Sequence, residues 1–319
     1  MKRRWNALIV SLVLAVASPL ATNAWALETH GWEQVGKHRI FYREAGPRDA
    51  PVVVLLHGFP SSSFMYRSLI PRLATRYRVI APDYPGAGHS DAPPVAEFPY
   101  TFDAIGEVMR AFLAARGAER YSLYMQDFGG PVGFRIAEAD PARIDALIVQ
   151  NANIYEAGLS EGMQAVRPFW GARTHEATKL LSGFISPESI KDQIVAGAER
   201  PSAIHPDAWT HAQALLAIPA RRNAQLEMLH DYGSNLRRYA GWQAYLRSRR
   251  PATLVVWGKN DPYFVAAGAT SFAAELPEAR IRLLNAGHFA LEEKGEEIAT
   301  EVLAFLKANV VRKNSSDHP

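Results

Sequence analysis

The residues of this chain best suited to chemistry are Asp127, Asp261 and His288. Asp127 sits in Tyr124-Met125-Gln126-Asp127-Phe128-Gly129-Gly130, where an apolar run meets a turn and paired glycines. A sharp strand–turn–helix bend projects its apical side chain from the C-terminal edge of a sheet, and small residues after it let the helix pack close. Taken alone, an aspartate there reads equally well as a helix N-cap. Asp261, in Gly258-Lys259-Asn260-Asp261, and His288, in Asn285-Ala286-Gly287-His288-Phe289, each follow a further apolar run. A carboxylate is ionised at neutral pH without help and displaces a leaving group from saturated carbon, giving an alkyl ester. A histidine oriented and kept basic by a second carboxylate then drives water onto that ester. Against an ordinary ester or amide the same attack gives a mixed anhydride, so lipase, esterase and protease chemistry is disfavoured. The chain has no cysteine, which excludes a thiol nucleophile, a disulfide framework and any Cys-ligated metal.

These residues need a frame that brings strand ends together. Residues 39–43, 52–56, 78–81, 121–124 and 147–150 read as strands, and 52–56 is apolar throughout, as a buried parallel strand would be. Residues 64–76, 102–116 and 131–139 read as helices between them. That alternation predicts an α/β fold with a mostly parallel sheet covered by helices. From 155 to 247 no buried strand is legible, only helix-compatible stretches rich in Ala, Leu, Arg and aromatics. The strand rhythm returns at 253–257 and 281–284, with a helix over 297–308. One α/β domain, 27–154 and 248–310, with a helical cap inserted over 155–247, accounts for this. A polar tail, 311–319, is expected to be disordered.

With those segments in place the chain resembles the α/β-hydrolase superfamily, in the branch of epoxide hydrolases and haloalkane dehalogenases. The resemblance rests on His57-Gly58-Phe59-Pro60, on Ala81-Pro82-Asp83 with Gly86-Ala87-Gly88-His89-Ser90-Asp91, on Gln126 to Gly130, on Asn260-Asp261 and on Gly287-His288, in that order from about residue 31 to 307. It implies Asp127 as nucleophile, His288 as general base and Asp261 orienting His288. It also implies an oxyanion hole from the backbone N–H groups of Phe59 and Phe128. His57 reads as a buttress of its turn.

The leaving group divides the branch. An opening epoxide develops an alkoxide and needs O–H donors, usually cap tyrosines; a halide needs N–H donors, usually a tryptophan directly after the nucleophile. Phe128 supplies no donor there. The cap supplies Tyr155, Tyr232 and Tyr245, and Tyr245-Leu246-Arg247 resembles the tyrosine segment at the end of the epoxide hydrolase cap. Tyr245 is therefore the expected donor, and a diol-forming epoxide hydrolase the first reading. Gln126, Tyr100-Thr101-Phe102 and Trp170, a candidate N–H donor, resemble the dehalogenases and make alcohol-plus-halide formation the alternative. A non-catalytic ligand-binding protein of the same fold is the rival of another class.

The N-terminus has a different character. Lys2, Arg3 and Arg4 precede an apolar run and Ala24-Trp25-Ala26, the layout of a secretory signal over 1–26. The run is shorter than the roughly 20 residues a span requires, so the expectation is a periplasmic or secreted protein with no lasting membrane anchor. Losing three positive charges from a formal +3 leaves a near-neutral protein with no nucleic-acid-binding stripe. His175, His205, His211 and His230 lack paired ligand spacing, and Gly86-Ala87-Gly88 lacks the third glycine of a dinucleotide fingerprint. Neither metal nor cofactor is expected, and the partners are a small apolar electrophile and water.

Overall fold

The computed structural model describes residues 28–310; the signal expected over 1–26 and the tail expected over 311–319 lie outside the described residues. Eight strands form one sheet: β1 (Thr29–Val35), β2 (His38–Ala45), β3 (Val52–Leu56), β4 (Arg78–Pro82), β5 (Tyr121–Gln126), β6 (Ile144–Gln150), β7 (Ala252–Gly258) and β8 (Arg280–Leu284). Their order is β1-β2-β4-β3-β5-β6-β7-β8. β2 pairs antiparallel with both β1 and β4, and every later pairing is parallel. The central strands β3 and β5 are buried over their whole length, as a parallel sheet covered on both faces requires.

The helices α1 (Ile70–Leu73), α2 (Phe102–Ala115) and α3 (Gly129–Ala139) connect the first strands, and α11 (Ala266–Glu275) and α12 (Ala290–Asn309) flank β8. Between β6 and β7 the chain leaves the sheet for α4 (Glu161–Val166), α5 (His175–Gly183), α6 (Pro187–Val195), α7 (Asp207–Leu216), α8 (Pro219–Asp231), α9 (Gly233–Leu236) and α10 (Tyr239–Arg249). Among the described residues this stretch holds no strand, only a bridge from Leu159 back to Phe264.

The continuous helix expected over 64–76 is instead a 3₁₀ turn, Ser63–Tyr66, followed by the single-turn α1. Pro71 explains the break, because it lacks an N–H and clashes with the preceding turn unless it stands in a helix's first turn, where it is found. Two elements, β1 and α11, have no counterpart in the sequence reading.

The chain runs from β3 outward to β4 and returns to β5 on the other side of β3. At such a reversal the loops diverge and leave a crevice outside the C-terminal ends of the strands. The turns after β3 and β5, at Gly58 and Asp127, flank that crevice.

Candidate active site

Asp127 occupies the bend between β5 and α3 with φ of 50°, a left-handed conformation that costs a non-glycine residue about 1–2 kcal/mol. The bend is held because α3 starts flush against β3: a Cβ on Gly129 would lie 2.1 Å from the Leu56 carbonyl oxygen. Only glycine allows that approach. The bend turns the Asp127 carboxylate toward the turn after β3, where the Phe59 N–H donates to Oδ1 at 2.7 Å. The Phe128 N–H, at the start of α3, has no partner among the described residues.

His288, in the loop between β8 and α12, brings Nε2 to 3.6 Å from Asp127 Oδ2 and Nδ1 to 2.7 Å from Asp261 Oδ2. Asp261 is fully bound. Its Oδ1 accepts the N–H groups of Tyr263 (2.7 Å) and Phe264 (3.0 Å), and its Oδ2 also accepts the Asn151 amide at 2.7 Å. Asn151 is a polar residue just past the end of β6 with φ of 45°, and its Oδ1 accepts the Gly258 N–H at 3.0 Å. It stitches the ends of β6 and β7 to the acid. The Gln126 amide nitrogen lies 3.2 Å from His288 Nε2.

Burial alone would pull the His288 pKa down. The Asp261 charge, with the hydrogen bond and charge of Asp127, outweighs it and pushes the value up to about 10. The resting site at neutral pH is therefore an imidazolium between two carboxylates. His57 stands apart: its ring stacks on Tyr84 at 4.1 Å, and the Tyr84 hydroxyl donates to its carbonyl at 2.8 Å. Burial lowers its pKa. It braces the turn that carries Phe59.

Asp127, Phe128, Phe59 and His288 line a cavity with about 50 Å³ of room for the centres of water molecules, space for a few waters or one small molecule. The cap closes it with Met163, Val166, Trp170, Leu181, Phe184, Leu229 and Tyr232, and Gln193 is a polar member of that wall. Among the described residues neither lysine nor arginine lines it. Tyr232 is held where α8 meets α9: the neighbouring Asp231 accepts the Phe102 N–H at the start of α2 at 2.8 Å, and the Tyr232 ring packs on Trp170 at 4.8 Å and Phe128 at 5.9 Å. Burial, the Tyr239 hydroxyl beside it and the Asp127 charge all raise its pKa well above the ordinary phenol value. The Trp170 indole N–H has no partner among the described residues.

The other two tyrosines proposed from sequence are placed elsewhere, which corrects the expectation for Tyr245. Tyr245 faces the body of the α/β domain beside Tyr121, because α10 docks against α3 and α11 rather than over the cavity. Tyr155 packs edge-on against Phe272 of α11, ring centroids 5.1 Å apart. Sequence reasoning also passed over Asn151, Tyr263 and Gln193. Asn151 alone left a signal, an amide directly after a buried strand.

The cap touches the triad loops directly. Residues 196–198 follow α6 and pack backbone to backbone on them: a Cβ on Gly197 would meet the Asn260 carbonyl oxygen at 2.2 Å, and one on Gly287 would meet that of Ala196 at 2.0 Å. The Asn260 side chain donates to the Gly197 carbonyl at 3.0 Å.

A parallel sheet with this strand order, an aspartate on the bend after β5 and an aspartate and histidine after β7 and β8 define a class, and the sequence comparisons agree with it. The chain belongs to the α/β-hydrolase superfamily, in the branch that holds haloalkane dehalogenases and epoxide hydrolases; the α/β-hydrolase fold family matches residues 51–180. An uncharacterized hydrolase from Saccharomyces cerevisiae is 34% identical over 275 residues, covering 85% of this chain and 94% of that protein. A haloalkane dehalogenase from Mycobacterium marinum is 32% identical over 279 residues, covering 84% and 88%. Among solved structures, the epoxide hydrolase CorEH shares the fold with a TM-score of 0.73 at 19% identity, covering 88% of this chain and 99% of that one. The protein is a hydrolase of this family.

Proposed function

We propose that the protein opens epoxides to diols through a covalent ester on Asp127. One observation carries the reading: the carboxylate faces a largely apolar cavity with Oδ1 held by Phe59 and Oδ2 3.6 Å from His288, and Tyr232 lines the same wall. Oδ2 attacks an epoxide carbon, the carbon–oxygen bond breaks, and the alkoxide takes the proton of Tyr232. Esterification removes the Asp127 charge that held the His288 proton. His288 returns a proton to the Tyr232 oxygen and becomes a neutral base. It then takes a proton from water as the hydroxide adds to the Asp127 carbonyl carbon, and the oxyanion is met by the N–H groups of Phe59 and Phe128, a type of contact worth about 2.7–4 kcal/mol each. Collapse expels the diol oxygen, which takes the proton from His288, and the new carboxyl returns its own proton to the ring. One water is consumed. Apart from His288, already paired with two carboxylates, the described wall carries no cationic side chain, which favours a neutral, largely apolar substrate.

A second reading is supported by the unpartnered Trp170 N–H in the same cavity and by the dehalogenase relatives: the same ester formed by halide displacement. A non-catalytic binding role is opposed by a complete triad within contact distance. The test is covalent trapping. In His288→Gln, intact mass should show one substrate equivalent on Asp127 after incubation with 1,2-epoxyhexane. A single turnover of the wild type in heavy-oxygen water should leave the label in the Asp127 carboxylate. Label found only in the diol would refute the ester.

A further inference from the structure

The cavity wall holds one polar side chain that the mechanism does not use. Gln193, on α6, is 5% exposed and lines the same cavity as Asp127. Its Nε2 donates to the Phe184 carbonyl at 2.8 Å and to the Ser189 carbonyl and hydroxyl, both at 3.1 Å. Two carbonyl acceptors fix which end of the amide is nitrogen. The other end, Oε1, therefore has a set position, and it accepts no hydrogen bond among the described residues. That oxygen is not sealed from solvent, so water satisfies it in the free enzyme, and a substrate donor can take that water's place. The neighbouring side chains on that wall, Leu181 and Phe184, offer nothing.

We infer that Gln193 Oε1 is a substrate-recognition acceptor, and that the preferred substrates are epoxides with a hydroxyl, or an equivalent N–H, away from the ring. This deepens the proposed function and rests on it for the reacting group. The anchoring of Nε2 gives the subsite its direction: it takes donors and rejects groups that only accept. A carboxylate on the substrate would meet an oxygen with no proton to give.

The experiment compares 1,2-epoxyalkanes of four to eight carbons with their ω-hydroxy and ω-methoxy counterparts. For at least one chain length the hydroxy compound should show a kcat/KM about fivefold above the plain epoxide, carried by KM, which is the net worth of a neutral hydrogen bond exchanged for water. The methoxy compound, which accepts but does not donate, should gain nothing. Gln193→Met should bring the hydroxy-to-plain ratio of kcat/KM to about one, whatever it does to each rate. No preference at any length, an equal gain for methoxy, or a preference that survives Gln193→Met through bridging water would each overturn the inference. Calorimetric binding of the three series to Asp127→Ala reads the subsite without turnover. If the wild type hydrolyses no epoxide yet Asp127→Ala prefers the hydroxy series, the proposed reaction fails and the subsite stands. Because the methoxy comparison needs no change at position 193, a Gln193→Met protein that fails to fold leaves the test intact.

Discussion

Replacing Gly58 by alanine should disable the site with little damage elsewhere. Gly58 is outside the left-handed region, so its backbone accepts alanine without strain and only space decides the outcome. The added Cβ would lie 2.2 Å from Gln126 Oε1, 2.4 Å from Asp127 Cβ and 2.7 Å from Asp127 Oδ1. Ordinary contacts are about 3.5 Å, so the carboxylate and the Gln126 amide must retreat by roughly 1 Å. That breaks the 2.7 Å bond from the Phe59 N–H, and a displacement of about 1 Å can itself cost ~10²-fold in rate. Loss of an oxyanion-type donor costs ~10²–10³-fold. The two losses share one cause, so they do not multiply. The expected result is a kcat/KM for 1,2-epoxyhexane lower by ~10²–10³-fold. Overpacking of this kind destabilises by about 1–3 kcal/mol, a drop in Tm of roughly 2 to 5 °C for a domain of this size. Stopped-flow single turnovers, with thermal melts on the same samples, separate the two effects. A folded Gly58→Ala enzyme working within about threefold of wild type would show that the carboxylate position assigned here is not the reactive one.

Three further outcomes follow from the same geometry. Imidazole NMR should find His288 protonated up to about pH 10 in the wild type and titrating at lower pH in Asp127→Asn, where one of its two carboxylate neighbours is neutral; an unchanged value would break the proposed link between esterification and base activation. Because this pKa is raised on folding from an ordinary value near 6.5, the stability it contributes should be complete below about pH 6.5 and lost as pH rises through about 10. Tyr232→Phe should slow epoxide opening by ~10²-fold or more, while Tyr245→Phe should leave it within about twofold. Equal effects in paired rate measurements would contradict the placement of both rings.

Much of the framework was legible because it depends on local pattern. The all-apolar run of β3 could only be a buried strand, and the bend at Asp127 is announced by the two glycines that follow it. The cap resisted the same treatment. Its helices show where polar and apolar faces lie, but not how each helix is rotated over the sheet. Tyr245 was chosen by its place in the chain, whereas its environment is set by the docking of α10. Tyr232 owes its position to Asp231 bonding across to α2, a contact 129 residues apart in sequence. Gln193 reads as an ordinary solvated glutamine on an amphipathic helix until the carbonyls that hold its nitrogen are seen. β1 escaped notice because its pattern is mostly exposed and carries Trp32 on the outside.

The seam between residues 196–198 and the loops of Asp261 and His288 limits how this enzyme can be re-engineered. Grafting a roomier lid from a relative would bring in foreign side chains where main chain now lies against main chain, and a methyl group at Gly197 or Gly287 would press on the main chain of the facing segment. Cap and catalytic loops form one unit of inheritance at that seam, so designers after larger guests would do better to reshape α4, α5 and α8 and leave the junction untouched.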